Sequence, residues 1–191
     1  MGFPFSISET FQQRNTNSSI AESLHTVEEM LQLCDKSNKT AVVYLSMGFG
    51  NPYGDEWNVE ILMHWAEKLV TRGVKILSLA DTTGVSTPEK ITAILPPLLS
   101  TFNDIEIGLH LHSTPFTRLE KIAAAYEAGC TRFDSALKGY GGCPMATDDL
   151  TGNLATEDLI NFLTTKDEDL ALNIAQWNEA MAFSPKVFNR L

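Results

Sequence analysis

Apolar and polar positions along the chain fall into blocks that read alternately as strand and helix. Phe3 to Ile7 is a short apolar run closing in Ser-Glu, the pattern of a strand. Ser18 or Ser19 then predicts a helix cap, and Ile20, Leu24, Val27, Met30 and Leu31 recur on one helical face. Ala41 to Met47 (AVVYLSM) is β-branched and free of charge, which predicts a strand covered on both faces. Asn58 to Arg72 follows as a helix with Ile61, Trp65 and Leu69 spaced for burial, and Gly73 closes it. Ile76 to Ala80 is the next strand, and Thr87-Pro88 opens a helix with proline in the first turn, where it costs least. Ile105 to Leu111 predicts a fourth strand, Leu119 to Ala128 a helix closed by Gly129, and Arg132 to Ala136 a fifth strand. A glycine-rich loop then leads to helices from roughly Thr156 and Asp167.

Strand and helix thus alternate in units of about thirty residues, the length of a strand–helix crossover, so a parallel sheet with helical crossovers is expected. Two closures fit: an open doubly wound sheet, or part of a (β/α)8 barrel. A full barrel takes about 250 residues, and a chain of 191 is short of that. No low-complexity linker interrupts the pattern, so residues 1–191 are expected to form one domain.

With 43% hydrophobic and 20% charged residues the composition is that of a soluble globule, and no run approaches the ~20 apolar residues of a membrane span. A net charge of −10, from 14 basic and 24 acidic residues, argues against binding phosphate backbones, so no nucleic-acid partner is expected. An anionic small molecule in a locally positive pocket remains compatible with it. Three scattered cysteines, Cys34, Cys130 and Cys143, do not make a disulfide framework and fit a reducing, cytoplasmic setting.

In parallel α/β folds the active site lies at the carboxyl ends of the strands, and the unusual residues gather there. Asp81 ends one strand, His110 and His112 another, Asp134 and Ser135 a third, and the loop Gly139-Tyr-Gly-Gly-Cys-Pro144 leaves that third strand. Residues i and i+2 of a strand share a face, so both imidazoles are expected to project into one space. They form either an incipient metal site or a hydrogen-bonded pair filling a strand end. Cys143, between glycines and proline, is either a proton donor and acceptor or an incidental thiol in a tight turn. Asn153, ahead of Thr156-Glu157-Asp158, reads by itself as turn chemistry before a capped helix.

The run from Gly139 to Leu159, GYGGCPMATDDLTGNLATEDL, closely resembles the loop-and-helix signature of the hydroxymethylglutaryl-CoA lyases, G-x-G-G-C-P followed by G-N-x-A-T-E-D. LSLADTTGVST (Leu77 to Thr87) resembles the Asp-Thr-x-Gly strand end of that family, and GLHLHST its His-x-His strand. FSISETFQQRNTNSSIAESL resembles its fourth strand and following helix, so the likeness runs from about Phe3 to about Leu163. The resemblance implies a TIM-barrel fold represented here by roughly strands four to eight. It implies metal-dependent cleavage of 3-hydroxy-3-methylglutaryl-CoA to acetyl-CoA and acetoacetate, in leucine catabolism and ketone-body metabolism. It also implies that His110, His112 and Asn153 bind a divalent cation, Mg²⁺ or Mn²⁺. On the same basis Cys143 or His110 transfers the proton, and Asp81, Gly141 and Gly142 lie against the acyl-CoA substrate.

Two departures stand out. The family carries an Arg-Asp pair on its first strand, the Asp a further metal ligand, and this sequence has no such motif; Ser113 stands where the family usually has Asp. The alternatives are therefore one chain of a split enzyme completed by a partner chain or a homo-oligomer, a truncated non-catalytic remnant, or a related acyl-CoA synthase running a Claisen condensation. The synthases carry Glu-Arg where this chain has Gly142-Cys143, which favours the lyase.

Overall fold

Charge-free β-branched runs need neighbours on both edges, and the chain supplies them in simple succession. The computed structural model describes residues 1–142 and 151–188. Strands β1 (Gly2–Ser6), β2 (Val42–Ser46), β3 (Ile76–Ala80), β4 (Glu106–His110) and β6 (Phe133–Asp134) form one sheet in that spatial order, each pair parallel. A short antiparallel pair, β5 (His112–Ser113) with β7 (Gly152–Asn153), sits beside it. Strand order that follows chain order has no reversal, so the topological switch point of a doubly wound sheet is absent from the described strands. Of the two closures the sequence left open, the sheet has the course of a barrel wall.

Seven helices accompany the wall among the described residues, and several of them pack on one face of it. The seven are α1 (Glu9–Thr16), α2 (Ile20–Lys36), α3 (Val59–Val70), α4 (Pro88–Thr101), α5 (Arg118–Glu127), α6 (Thr156–Thr165) and α7 (Ile174–Phe188). Val43, Leu45, Leu77, Leu79, Ile107 and Leu109 point into the helix layer and are fully or almost fully buried. They pack with Leu62, Leu69, Ile91 and Leu95 in one continuous core. The opposite face is more open: Val42 and Tyr44 are only half-buried, so β2 is not covered on both faces as its composition predicts. Capping follows the sequence reading closely. Ser19 closes a capping box with Glu22, and the Asn58 and Thr87 side chains accept from Ile61 and Lys90 backbone N–H groups.

Four local expectations need correction. The helix α1 was not expected, because ETFQQRNT lacks an apolar stripe; it is held by tertiary contacts, with Thr10 donating its backbone N–H to Asp55 at 3.0 Å and the Ser8 hydroxyl also bonded to that carboxylate. The fifth strand shrinks to Phe133–Asp134, after which Ala136 makes an isolated parallel bridge to Ala155. The last helix begins at Ile174 rather than near Asp167, where the backbone takes positive φ at Asp167 and Ala171. And the strand holding the two histidines is broken: β4 ends at His110, and His112 belongs to β5.

Candidate functional site

The break between β4 and β5 builds the site. His112 leaves the parallel wall and pairs with Asn153, while Ser113 pairs with Gly152, so the two segments that the sequence separates by forty residues meet at the carboxyl ends of the strands. A cavity of about 440 Å³ opens there, lined among others by Tyr44, Thr82, His110, His112, Gly142 and Asn153. The two imidazole rings lie 5.3 Å apart, centroid to centroid, at 67°. The expectation that both face one space is met, although by a break in the strand rather than by its regular alternation.

His112 is buried, and its Nδ1 lies 2.9 Å from the Thr82 carbonyl oxygen. Only an Nδ1–H can make that bond, so the hydrogen-bond partner assigns the proton to Nδ1 and leaves the Nε2 lone pair for the cavity. Burial, and then the neighbouring His110 charge, lower its pKa and favour the neutral ring that ligation requires. His110 is held differently. Its Nδ1 is buried without a hydrogen-bond partner, and the nearest carboxylate oxygen, Asp134 Oδ2, stands at 3.6 Å, an ion-pair distance rather than a hydrogen bond. Asp134 in turn accepts from the Ser78 hydroxyl at 3.0 Å. Burial pushes the Asp134 carboxyl up, but His110, Ser78 and the Arg132 charge together outweigh it and hold the group below its ordinary value.

Asn153 donates its side-chain Nδ2–H to the Tyr140 carbonyl at 2.8 Å and its backbone N–H to the Gly141 carbonyl at 3.1 Å. That bond orients the side-chain amide, which lines the cavity together with His112, its partner across the short ladder. Gly141 and Gly142 allow this approach. Gly141 has φ +84°, and a Cβ on it would stand 3.0 Å from Asn153 Nδ2; one on Gly142 would stand 2.9 Å from the Thr151 carbonyl oxygen.

His112, with its Nδ1–H committed to Thr82, and the Asn153 amide thus line one space beside a second imidazole. An imidazole nitrogen and an amide oxygen suit a divalent ion that keeps open positions. Among the described residues no group of three or more His, Cys, Asp and Glu converges, so the donor set here is two imidazoles and one amide.

Asp81 lies beside that cavity rather than in its lining: Ala80 and Thr82 line it, and alternation along the chain turns Asp81 the other way. Its side chain is fully buried and bonded to Ser86 and Lys121. Cys143 lies outside the described residues. Sequence reasoning missed Thr82, whose carbonyl orients His112 and whose hydroxyl accepts from the Met47 N–H at 2.9 Å, and Tyr44, whose ring meets His110 edge-on at 5.6 Å. It also missed Lys121, which a helical pattern places in solvent.

Fold and site together define an α/β protein of the barrel type, with its polar cavity where barrel enzymes carry theirs, at the strand carboxyl ends. The chain belongs to the HMGL-like family, whose model matches residues 3–183. It is 36% identical over 186 residues to the hydroxymethylglutaryl-CoA lyase of Bacillus subtilis, covering 94% of this chain and 62% of that protein. The crystal structure of the Bacillus subtilis HMG-CoA lyase superposes with a TM-score of 0.88 at 34% identity, over 97% of this chain and 62% of that one. An HMG-CoA lyase of Acinetobacter baumannii, solved with coenzyme A and 3-methylmalate, superposes with a TM-score of 0.84 at 27% identity, over 97% and 60%. The chain thus spans less than two thirds of the length of these relatives. No helix among the described residues is long and apolar enough to cross a membrane.

Proposed function

We propose that the chain carries the metal-binding part of a hydroxymethylglutaryl-CoA lyase site, one that cleaves 3-hydroxy-3-methylglutaryl-CoA to acetyl-CoA and acetoacetate. The observation that supports it best is that His112, with its Nδ1 committed to Thr82, lines one cavity together with Asn153 and His110. These three residues would hold Mg²⁺ or Mn²⁺. When bound, such an ion supplies a Lewis acid that lowers the pKa of a substrate hydroxyl and polarises a carboxylate oxygen.

The chain's own groups have separate tasks. His112, neutral and fixed by Thr82, holds one direction of the site constant. His110 has an unpartnered Nδ1 close to Asp134 and is suited to holding a proton during cleavage; Cys143, which matches the family cysteine, is the other group assigned to proton delivery. Gly142 in the cavity wall and Gly141 behind it leave room for the acyl-CoA.

That the relatives are hydroxymethylglutaryl-CoA lyases, one of them holding coenzyme A, supports an acyl-CoA substrate. The fold is read as one partial domain, strands four to eight of an eight-stranded barrel. Among the described residues β1 pairs only with β2, which leaves an edge where further strands, bringing the family's Arg-Asp pair from an upstream segment or a partner chain, would complete wall and site. A cytoplasmic location goes with this reading.

The test is an assay of the protein as purified from its cell, with any chain bound to it. Given 3-hydroxy-3-methylglutaryl-CoA and Mg²⁺, it should form acetoacetate and acetyl-CoA in equal amounts, and chelation should stop it. Unaltered substrate after long incubation with metal contradicts the proposal.

A further inference from the structure

Lys121 sits in the first turns of α5, and its side chain is only 3% exposed and that of its partner Asp81 is 0% exposed. Its ammonium makes three bonds, to Asp81 Oδ2 at 3.0 Å, to the His112 carbonyl at 2.9 Å and to the Gly84 carbonyl at 3.2 Å. Asp81 is equally committed. It accepts from the Ser86 N–H at 3.1 Å and the Ser86 hydroxyl at 2.6 Å, and its own N–H donates to the His110 carbonyl at 2.9 Å.

Stability gives little reason for such a pair, since desolvating two charges costs about as much as their attraction returns, and apolar side chains of the same volume do as well. Its geometry does give one. Asp81 and Ser86 pin the turn 81–86, and that turn presents the Thr82 carbonyl to His112 Nδ1. Lys121 pins the backbone of His112 from the other side. The main-chain carbonyl of His112 and the partner that sets its tautomer are thus both tied to this one ion pair.

We propose that Lys121, acting with Asp81, is a positioning residue that fixes the backbone and the Nδ1–H tautomer of His112. Its consequence for cation affinity rests on the reading of His112 as a ligand. Neither residue touches the cavity; both act through the turn and the carbonyl they hold.

The test uses the whole chain, as wild type, Lys121→Met, Lys121→Met/Asp81→Asn and Ser86→Ala. It reads the thermal midpoint, the ¹⁵N-histidine spectrum without metal, and Mn²⁺ affinity. Lys121→Met leaves a buried carboxylate unpaired and should lower the midpoint. The double variant removes both charges and should recover much of that loss, while its His112 signal averages between tautomers and Mn²⁺ binds about 10–100-fold more weakly. A purely structural pair would recover all three together. Ser86→Ala keeps the ion pair, loosens the turn and should move the tautomer signal the same way by less, so the claim stays testable if the double variant does not fold. A wild-type tautomer signal in both the double variant and Ser86→Ala overturns the proposal. If the wild type binds no Mn²⁺ but the His112 signal still responds, the positioning stands and the metal reading falls.

Discussion

His112 and His110 are two residues apart in sequence and share one cavity, yet the protein treats them in opposite ways. His112 is buried, hydrogen-bonded through Nδ1 to Thr82, paired with Asn153 across a short ladder and pinned by Lys121 at its carbonyl. His110 is half-buried, touches Tyr44 edge-on, and has an Nδ1 with no hydrogen-bond partner and a carboxylate just out of hydrogen-bonding range. A ligand gains from being fixed, because ordering it in advance removes that cost from binding. A group that moves a proton must change partners during the reaction. On the proposed function, this contrast suits His112 to the part of a preorganised ligand and His110 to that of a ligand that also exchanges a proton.

The largest expected effect breaks the pair itself. Replacing both His110 and His112 with Ala should abolish Mn²⁺ binding, and calorimetry would detect retained affinity at once. Next comes the proton. If Cys143 rather than His110 delivers it, Cys143→Ala should lower turnover by about 10²-fold or more with metal affinity nearly intact; unchanged turnover transfers that role to His110. A smaller effect separates the two supports. Asp134→Asn removes the charge beside His110 and should alter the pH profile of turnover while leaving the His112 tautomer signal where it is. If the His112 signal moves with it, the two supports are not independent.

The smallest effect is on stability. Burial, and then the His110 charge, hold the His112 pKa below its ordinary 6.5, so below that value the unfolded chain binds a proton that the folded chain resists. The metal-free protein should therefore lose stability as pH falls through about 6.5, the loss ending below the folded value. His112→Gln should flatten that limb of a denaturation series.

The same contrast marks what the sequence could disclose. Strands β2 and β3 were legible because short uncharged apolar runs between helical patterns have few other uses, and Ser19, Asn58 and Thr87 announced their helices. The histidine pair was legible as a pair. Its break into two sheets was not, because Leu111 carries the apolar alternation straight on, and the hairpin partner at Asn153 is remote in sequence. The bonds of Asp81 were not legible either: its place at a strand end was, but the alternation that puts Ala80 and Thr82 in the cavity turns its side chain toward Ser86 and Lys121. Lys121 was invisible, since a lysine on an amphipathic helix reads as solvated, and only a partner forty residues upstream makes it a buried clamp. Helix α1 was missed because its stabilising contact, Asp55, likewise lies far along the chain.

The most direct measurement is a Mn²⁺ titration of the full chain followed by electron paramagnetic resonance, with wild type beside His110→Ala/His112→Ala and Asn153→Ala. The account predicts one saturable site in the wild type, lost in the double variant and weakened in Asn153→Ala. Equal binding by all three proteins would contradict it.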